Sequence, residues 1–171
     1  MNETNNFPTQ RDSMILLLTA ILWLVTIGYT VTQWQQLGSE IPIHFGLDGK
    51  PDGFGAPSAM YWIFGIGILS TLFVEWIVHR PQYANLPFRL DEKYLPEAYG
   101  KLSRMLRNLN LLLTLLFTIL IASMIKTAQG DWATIPVPVL YILVAIIVCL
   151  PLVVTFQLRK YSTNGKTKNE P

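Results

Sequence analysis

One histidine and three carboxylates fall within a stretch of thirteen residues: Glu40, His44, Asp48 and Asp52. An imidazole with two carboxylates is enough to ligate a divalent metal or to carry out general acid–base chemistry. The candidate metal ligands are His44, Asp48 and Asp52. The same residues also fit a purely structural arrangement. There Asp52 accepts from nearby backbone amides in an Asx turn, and His44 bonds a loop carbonyl. Contact with a ligand or partner is the third use, and spacing alone leaves all three open. No H-E-x-x-H, G-x-S-x-G or Walker loop occurs, so no catalytic signature is present. A nucleophile beside His44 would have to be Ser39 or Ser58. No cofactor is predicted beyond a divalent metal at that loop, and the chain leans away from being an enzyme.

Glu75 and His79 form a second titratable pair. They are spaced i, i+4, so they share a helix face and can share a hydrogen bond. One reading is a relay for protons or cations, as in a small transporter subunit. The other is an interfacial acid reaching toward Arg80. Glu75 adjoins an apolar run, and no second buried acid or base is expected in the other spans.

What must position these groups is a set of long uncharged runs. Positions 13–39, 53–74, 108–125 and 132–158 carry no Asp, Glu, Lys or Arg, giving runs of 27, 22, 18 and 27 residues. A helix needs about 20 residues to cross a bilayer core of about 30 Å. The third run reaches this by using Asn108 and Asn110 at the headgroups. Spans are expected near 14–32, 58–78, 109–127 and 137–157. Residues from Met14 to Trp23 are apolar all round apart from Thr19, which excludes a soluble core helix with a polar stripe. Thr19, Thr26, Thr114 and Thr118 are compatible with lipid because a threonine hydroxyl can bond the carbonyl of the preceding turn. Pro151 predicts a kink in the fourth span. The first run is read as a retained helix rather than a cleaved signal.

The fold class is therefore an all-α integral membrane protein, a four-helix bundle in one domain covering 1–171. Eleven of the thirteen Lys and Arg residues flank the runs on one side, in the N-terminus, in 79–108 and in 158–171. The positive-inside rule then sets both termini in the cytosol and the loop 33–57 outside. Tyr29, Trp34, Tyr61, Trp62 and Trp132 fall at the outer interface, and Trp76 and Tyr161 at the inner one. From Leu95, Pro96 and Glu97 onward, Tyr99, Leu102, Leu106 and Leu109 recur at helical spacing. Lys101, Arg104 and Arg107 lie on a different face, an amphipathic extension toward anionic lipid. A net charge of +2 gives no reason to expect a nucleic-acid partner. Cys149, the sole cysteine, excludes an intrachain disulfide.

The outer loop is punctuated like an ordered element. Ile41, Ile43 and Phe45 alternate with Pro42 and His44, the period of an extended segment. Asp48 and Gly49 form a favoured two-residue turn pair, and Gly53 and Gly55 would tolerate positive φ. A compact hairpin-like loop is expected, with Phe45 and Phe54 packed on the end of the bundle. A two-residue reversal sets His44 opposite Gly53, beside Asp52.

Pro42, His44, Phe45, Gly49, Pro51, Asp52, Phe54 and Gly55 resemble the hallmark of a bacterial membrane family, the domain of unknown function 1648. That domain is also found at the N-terminus of SdpI-type bacteriocin-immunity proteins. Pro57 departs from the pattern, where a lysine is frequent. The resemblance implies a multi-pass protein of the bacterial plasma membrane with a role in toxin resistance or signalling. The expected function is non-enzymatic binding or sensing of an extracellular peptide, toxin or lipid, with the lipid bilayer and a peptide or membrane protein as partners.

Overall fold

The computed structural model describes residues 10–163. Four helices, α1 (Gln10–Gln33), α2 (Ala59–Val78), α3 (Leu95–Ala128) and α4 (Val137–Leu158), follow the four uncharged runs. Each is long and apolar enough to cross a membrane. Two short strands, β1 (Ile41–Phe45) and β2 (Pro51–Gly55), lie between α1 and α2. Pro96 at the start of α3 occupies a position where a missing N–H costs nothing. α3 then runs unbroken for 34 residues, so the amphipathic extension and the third span are one helix. α4 likewise continues through Pro151.

α3 is the hub, and α1, α2 and α4 all pack along it. α1 turns its polar residues inward. Asp12, Thr19, Thr26 and Thr30 are buried, whereas Leu17, Leu24, Val25 and Val31 are exposed. This inversion suits a helix whose outer face meets lipid, because the interior is where hydroxyls and charges find partners. Thr19, Thr26, Thr30, Thr114 and Thr118 each bond the carbonyl four residues earlier. Thr26 and Thr118 also meet across the α1–α3 interface at 2.8 Å.

One apolar core gathers Trp23, Ile41, Met60, Ile121, Met124 and Ile125 near the hairpin end. Gly67 makes room for it: a Cβ there would lie 2.5 Å from the Trp23 ring and 3.1 Å from Phe117. Small residues are the usual means of close helix approach in membranes. Trp23 Nε1–H in turn donates to Thr71 at 3.1 Å. A second core at the other end joins Ala98, Leu102, Met105, Leu158 and Tyr161.

Several expectations are corrected. Asn110 does not face outward but is buried, donating to the Thr71 carbonyl at 3.2 Å. Arg107 leaves the basic face of α3 and is buried, for a reason given below. Tyr161 does not present its ring outward; it is buried in the second core. The start of the 158–171 segment folds back as well. Leu90 and Ser162 form an isolated β-bridge, and Asp91 N–H bonds the Tyr161 carbonyl at 2.8 Å.

Candidate functional site

β1 and β2 pair antiparallel with His44 opposite Gly53, but the reversal is not a two-residue turn. Gly49 N–H donates to the Gly46 carbonyl and Gly46 N–H to the Lys50 carbonyl, both at 2.9 Å. The loop is therefore Leu47, Asp48 and Gly49, a three-residue connection ending in a left-handed glycine at φ +79°. A type I′ pair would need Asp48 at positive φ too, and no non-glycine residue has it among the described residues. Gly53 and Gly55 also keep ordinary φ. Gly53 is required by close approach, since a Cβ there would sit 2.9 Å from the His44 Cβ.

The hairpin is held to the rest of the chain at its turn. Ile135 N–H donates to the Gly49 carbonyl at 3.0 Å, and Tyr141 O–H to the Leu47 carbonyl at 3.1 Å. A Cβ on Gly49 would lie 2.4 Å from Val137 Cγ2. Ile41 is fully buried in the core, and Phe45 packs against it. Phe54 does not follow Phe45 inward: it is 57% exposed. Asp52 and Phe54 are two residues apart and so share the outward face of β2.

On that outward face His44 Nδ1 is bonded to Asp52 Oδ1, with the two side chains 73% and 52% exposed. The register shifts on either side of His44, an irregularity that re-aims a side chain out of the pleat. A carboxylate only accepts, so in a neutral imidazole Nδ1 carries the proton and Nε2 is left as an acceptor. No hydrogen bond joins Ser39 or Ser58 to His44 among the described residues. The Asx turn belongs to Asp48 rather than Asp52. Asp48 Oδ1 accepts from Lys50 N–H at 3.1 Å, and this bond holds its carboxyl below the ordinary carboxylate range. The Lys50 ammonium, 3.4 Å from Asp48 Oδ2, acts in the same direction. No three His, Cys, Asp or Glu side chains are gathered as a metal site among the described residues. Pro42 and Pro51 flank His44 and Asp52 on the two strands, opposite Phe54 and Phe45 respectively. Gly55 pairs with Ile41 and closes the sheet.

The second pair has more company than the sequence suggested. His79 Nδ1 lies 2.9 Å from the Glu75 carbonyl and 3.6 Å from its carboxylate. Arg80 does not reach Glu75; its guanidinium lies over the Trp76 ring at 5.3 Å. Instead Arg107 Nη2 donates to Glu75 Oε1 at 3.2 Å, and Arg107 Nη1 lies 3.7 Å from Asp12 Oδ1. Asp12 and Arg107 are 0% and 3% exposed. The expectation of no further buried acid or base is thus overturned. In the sequence Asp12 and Arg107 each border an uncharged run, which makes them look like its boundary rather than part of the interior. Their signal was periodicity: Asp12, Thr19 and Thr26 recur every seventh residue, and Arg107, Asn110 and Thr114 every third or fourth, each set on one helix face.

Residues 15–69 match the family described as domain of unknown function (DUF1648). An uncharacterized protein of the archaeon Archaeoglobus fulgidus is 34% identical over 80 residues, which cover 42% of this chain and 42% of that protein. The similarity thus spans less than half of the relative's length. No solved structure matches the chain. The segment from the first span through the hairpin to the start of the second span is thus similar to the DUF1648 family.

Proposed function

We propose that the protein is a non-enzymatic receptor in the bacterial plasma membrane, and that its hairpin recognises an extracellular peptide. Positive-inside charge bias supports an outward hairpin with both termini in the cytosol. The observation that carries the reading is a contrast within one element. The hairpin is fastened by Ile41, Gly49 and Tyr141, yet it presents His44, Asp52, Ile43, Leu47 and Phe54 to the outside. An exposed ion pair contributes little to folding, so stability does not account for the His44–Asp52 pair. A donor–acceptor pair beside exposed apolar side chains suits an amphipathic peptide. The resemblance to bacteriocin-immunity modules agrees with a peptide toxin as the ligand.

Photo-crosslinking residues at Leu47 and Phe54, installed in cells, test the proposal. A peptide captured at both positions, and not at exposed Tyr83 near the other end of α2, is the expected result. Capture at Tyr83 alone would overturn it.

A second reading draws on the Asp12–Arg107–Glu75 cluster. The Glu75 carboxylate lies 3.2 Å from the buried Arg107 guanidinium and 3.6 Å from the His79 ring, so one acid joins a buried cation to an exposed group that can take up a proton. This favours a relay through Glu75 and His79. In vesicles with a trapped pH dye, Glu75→Gln would abolish proton flux carried by the wild type. Equal dye responses from both proteins would remove this reading.

A further inference from the structure

A cleft of about 290 Å³ opens between α1, α3 and α4 at the end opposite the hairpin. Arg11, Lys101, Arg104, Asn108 and Gln157 form its polar lining. Lys101 is engaged, with Glu97 at 3.1 Å and the Tyr161 hydroxyl beside it. Arg11 and Arg104 are exposed, and neither is paired to a carboxylate among the described residues. Asp12 also lines the cleft, but its carboxylate faces Arg107. The unpaired charge in the cleft is therefore positive.

The remaining wall is apolar: Ile15 of α1, Met105 of α3, and Leu150 and Val154 of α4. The apolar sides continue along both helices away from the arginines. Leu18 follows Ile15 by three residues and is 50% exposed, and Ile146 precedes Leu150 by four and is 45% exposed. Arg11 stands two residues before the first uncharged run, and Arg104 four residues before the third. Guanidinium groups thus lie where the hydrocarbon begins, at the head of an apolar track two helices wide. Guanidinium binds phosphate through paired, charge-assisted hydrogen bonds.

We infer that this cleft binds one anionic glycerophospholipid, with its phosphate between Arg11 and Arg104 and an acyl chain along Ile15, Leu150 and Val154. The apolar track is what selects a lipid over a free phosphate ion. Asn108 and Gln157 supply donors for headgroup hydroxyls. The site lies outside the hairpin and does not depend on what the hairpin binds.

The full chain, in nanodiscs of phosphatidylcholine with phosphatidylglycerol, is the test material, with retained lipid counted by native mass spectrometry. Wild-type protein should keep one phosphatidylglycerol in preference to phosphatidylcholine. Arg11→Gln and Arg104→Gln should each weaken that preference about fivefold, the value of one basic residue near an anionic headgroup. Lys93→Gln, an exposed charge at the same end, should leave it unchanged. Equal retention of the two lipids would overturn the inference, as would an equal loss with Lys93→Gln, which signals diffuse surface attraction. Displacement of the lipid by millimolar inorganic phosphate would overturn it in favour of a free anion. Lower melting temperatures of the arginine variants in pure phosphatidylcholine would make the arginines structural and overturn it too.

Discussion

The Arg107 guanidinium lies 3.2 Å from the Glu75 carboxylate, joining α3 to α2 across 32 residues of sequence. Removing one member of a buried pair leaves its partner's charge uncompensated. Arg107→Met should therefore cost about 3–5 kcal/mol of stability. Adding Glu75→Gln should restore part of that loss, because the carboxylate that Arg107 bonds is then neutral. Thermal unfolding in detergent of the single and double variants checks the coupling. Additive losses would show that Arg107 and Glu75 do not act as a unit.

Gly49 is constrained twice, by φ +79° and by Val137, which occupies the space a Cβ would need. Gly49→Ala should lose about 1–2 kcal/mol from the left-handed backbone alone, with further loss from the clash. Gly49→Val should be worse still, since a β-branched residue resists positive φ. Lys50→Ala, at an exposed neighbour, should leave membrane abundance near wild type. Comparable abundance of all three variants would contradict the docking described.

His44→Gln and Asp52→Asn should each fold to normal levels, because both side chains are exposed. Each should lose ligand capture at Leu47. A fall in abundance with capture intact would return the pair to a structural role.

Acid should loosen the turn only late. Bonding to the Lys50 amide lowers the Asp48 carboxyl, so its contribution is complete above the ordinary carboxylate value and is lost as pH falls through the lowered one. Hydrogen exchange at the Gly49 amide should be protected equally at pH 7 and pH 5, once corrected for intrinsic rates. Protection should decline only at more acidic pH. In Asp48→Ala this acid-dependent step should be absent.

Sidedness is open to a direct measurement. In a Cys149→Ser background, Lys50→Cys should react with an impermeant maleimide on intact cells, and Lys93→Cys only after lysis. Labelling of Lys93→Cys on intact cells and of Lys50→Cys only after lysis would reverse the proposed orientation, and labelling of both from outside would contradict the charge-bias argument.

The helices were legible because uncharged runs of membrane length leave little else for the chain to become. The hairpin was legible in part. Proline, glycine and the alternation of Ile41 with Ile43 mark strands and a reversal, and His44 does fall opposite Gly53. The turn type was not legible, because Asp-Gly serves two- and three-residue loops alike, and Tyr141 and Ile135 help to hold the one adopted. Phe54 faces outward for a related reason: a hydrophobic residue in a short strand faces whichever side the register assigns. The buried cluster was missed because a charge beside an apolar run looks like its boundary. Only the fold shows Asp12 and Arg107 meeting inside, through helices distant in sequence.

The clasp between Gly49 and the Ile135–Val137 segment has a consequence for biogenesis. The family segment ends at residue 69, yet its turn closes against residues that the ribosome makes only after all of α3. Trp23 likewise waits for Phe117. A chain ending before residue 135 would carry the whole hairpin and lack the Ile135 amide, the Val137 side chain and the Tyr141 hydroxyl that meet its turn. The distal half of the chain thus completes the packing of a segment that lies wholly upstream of it.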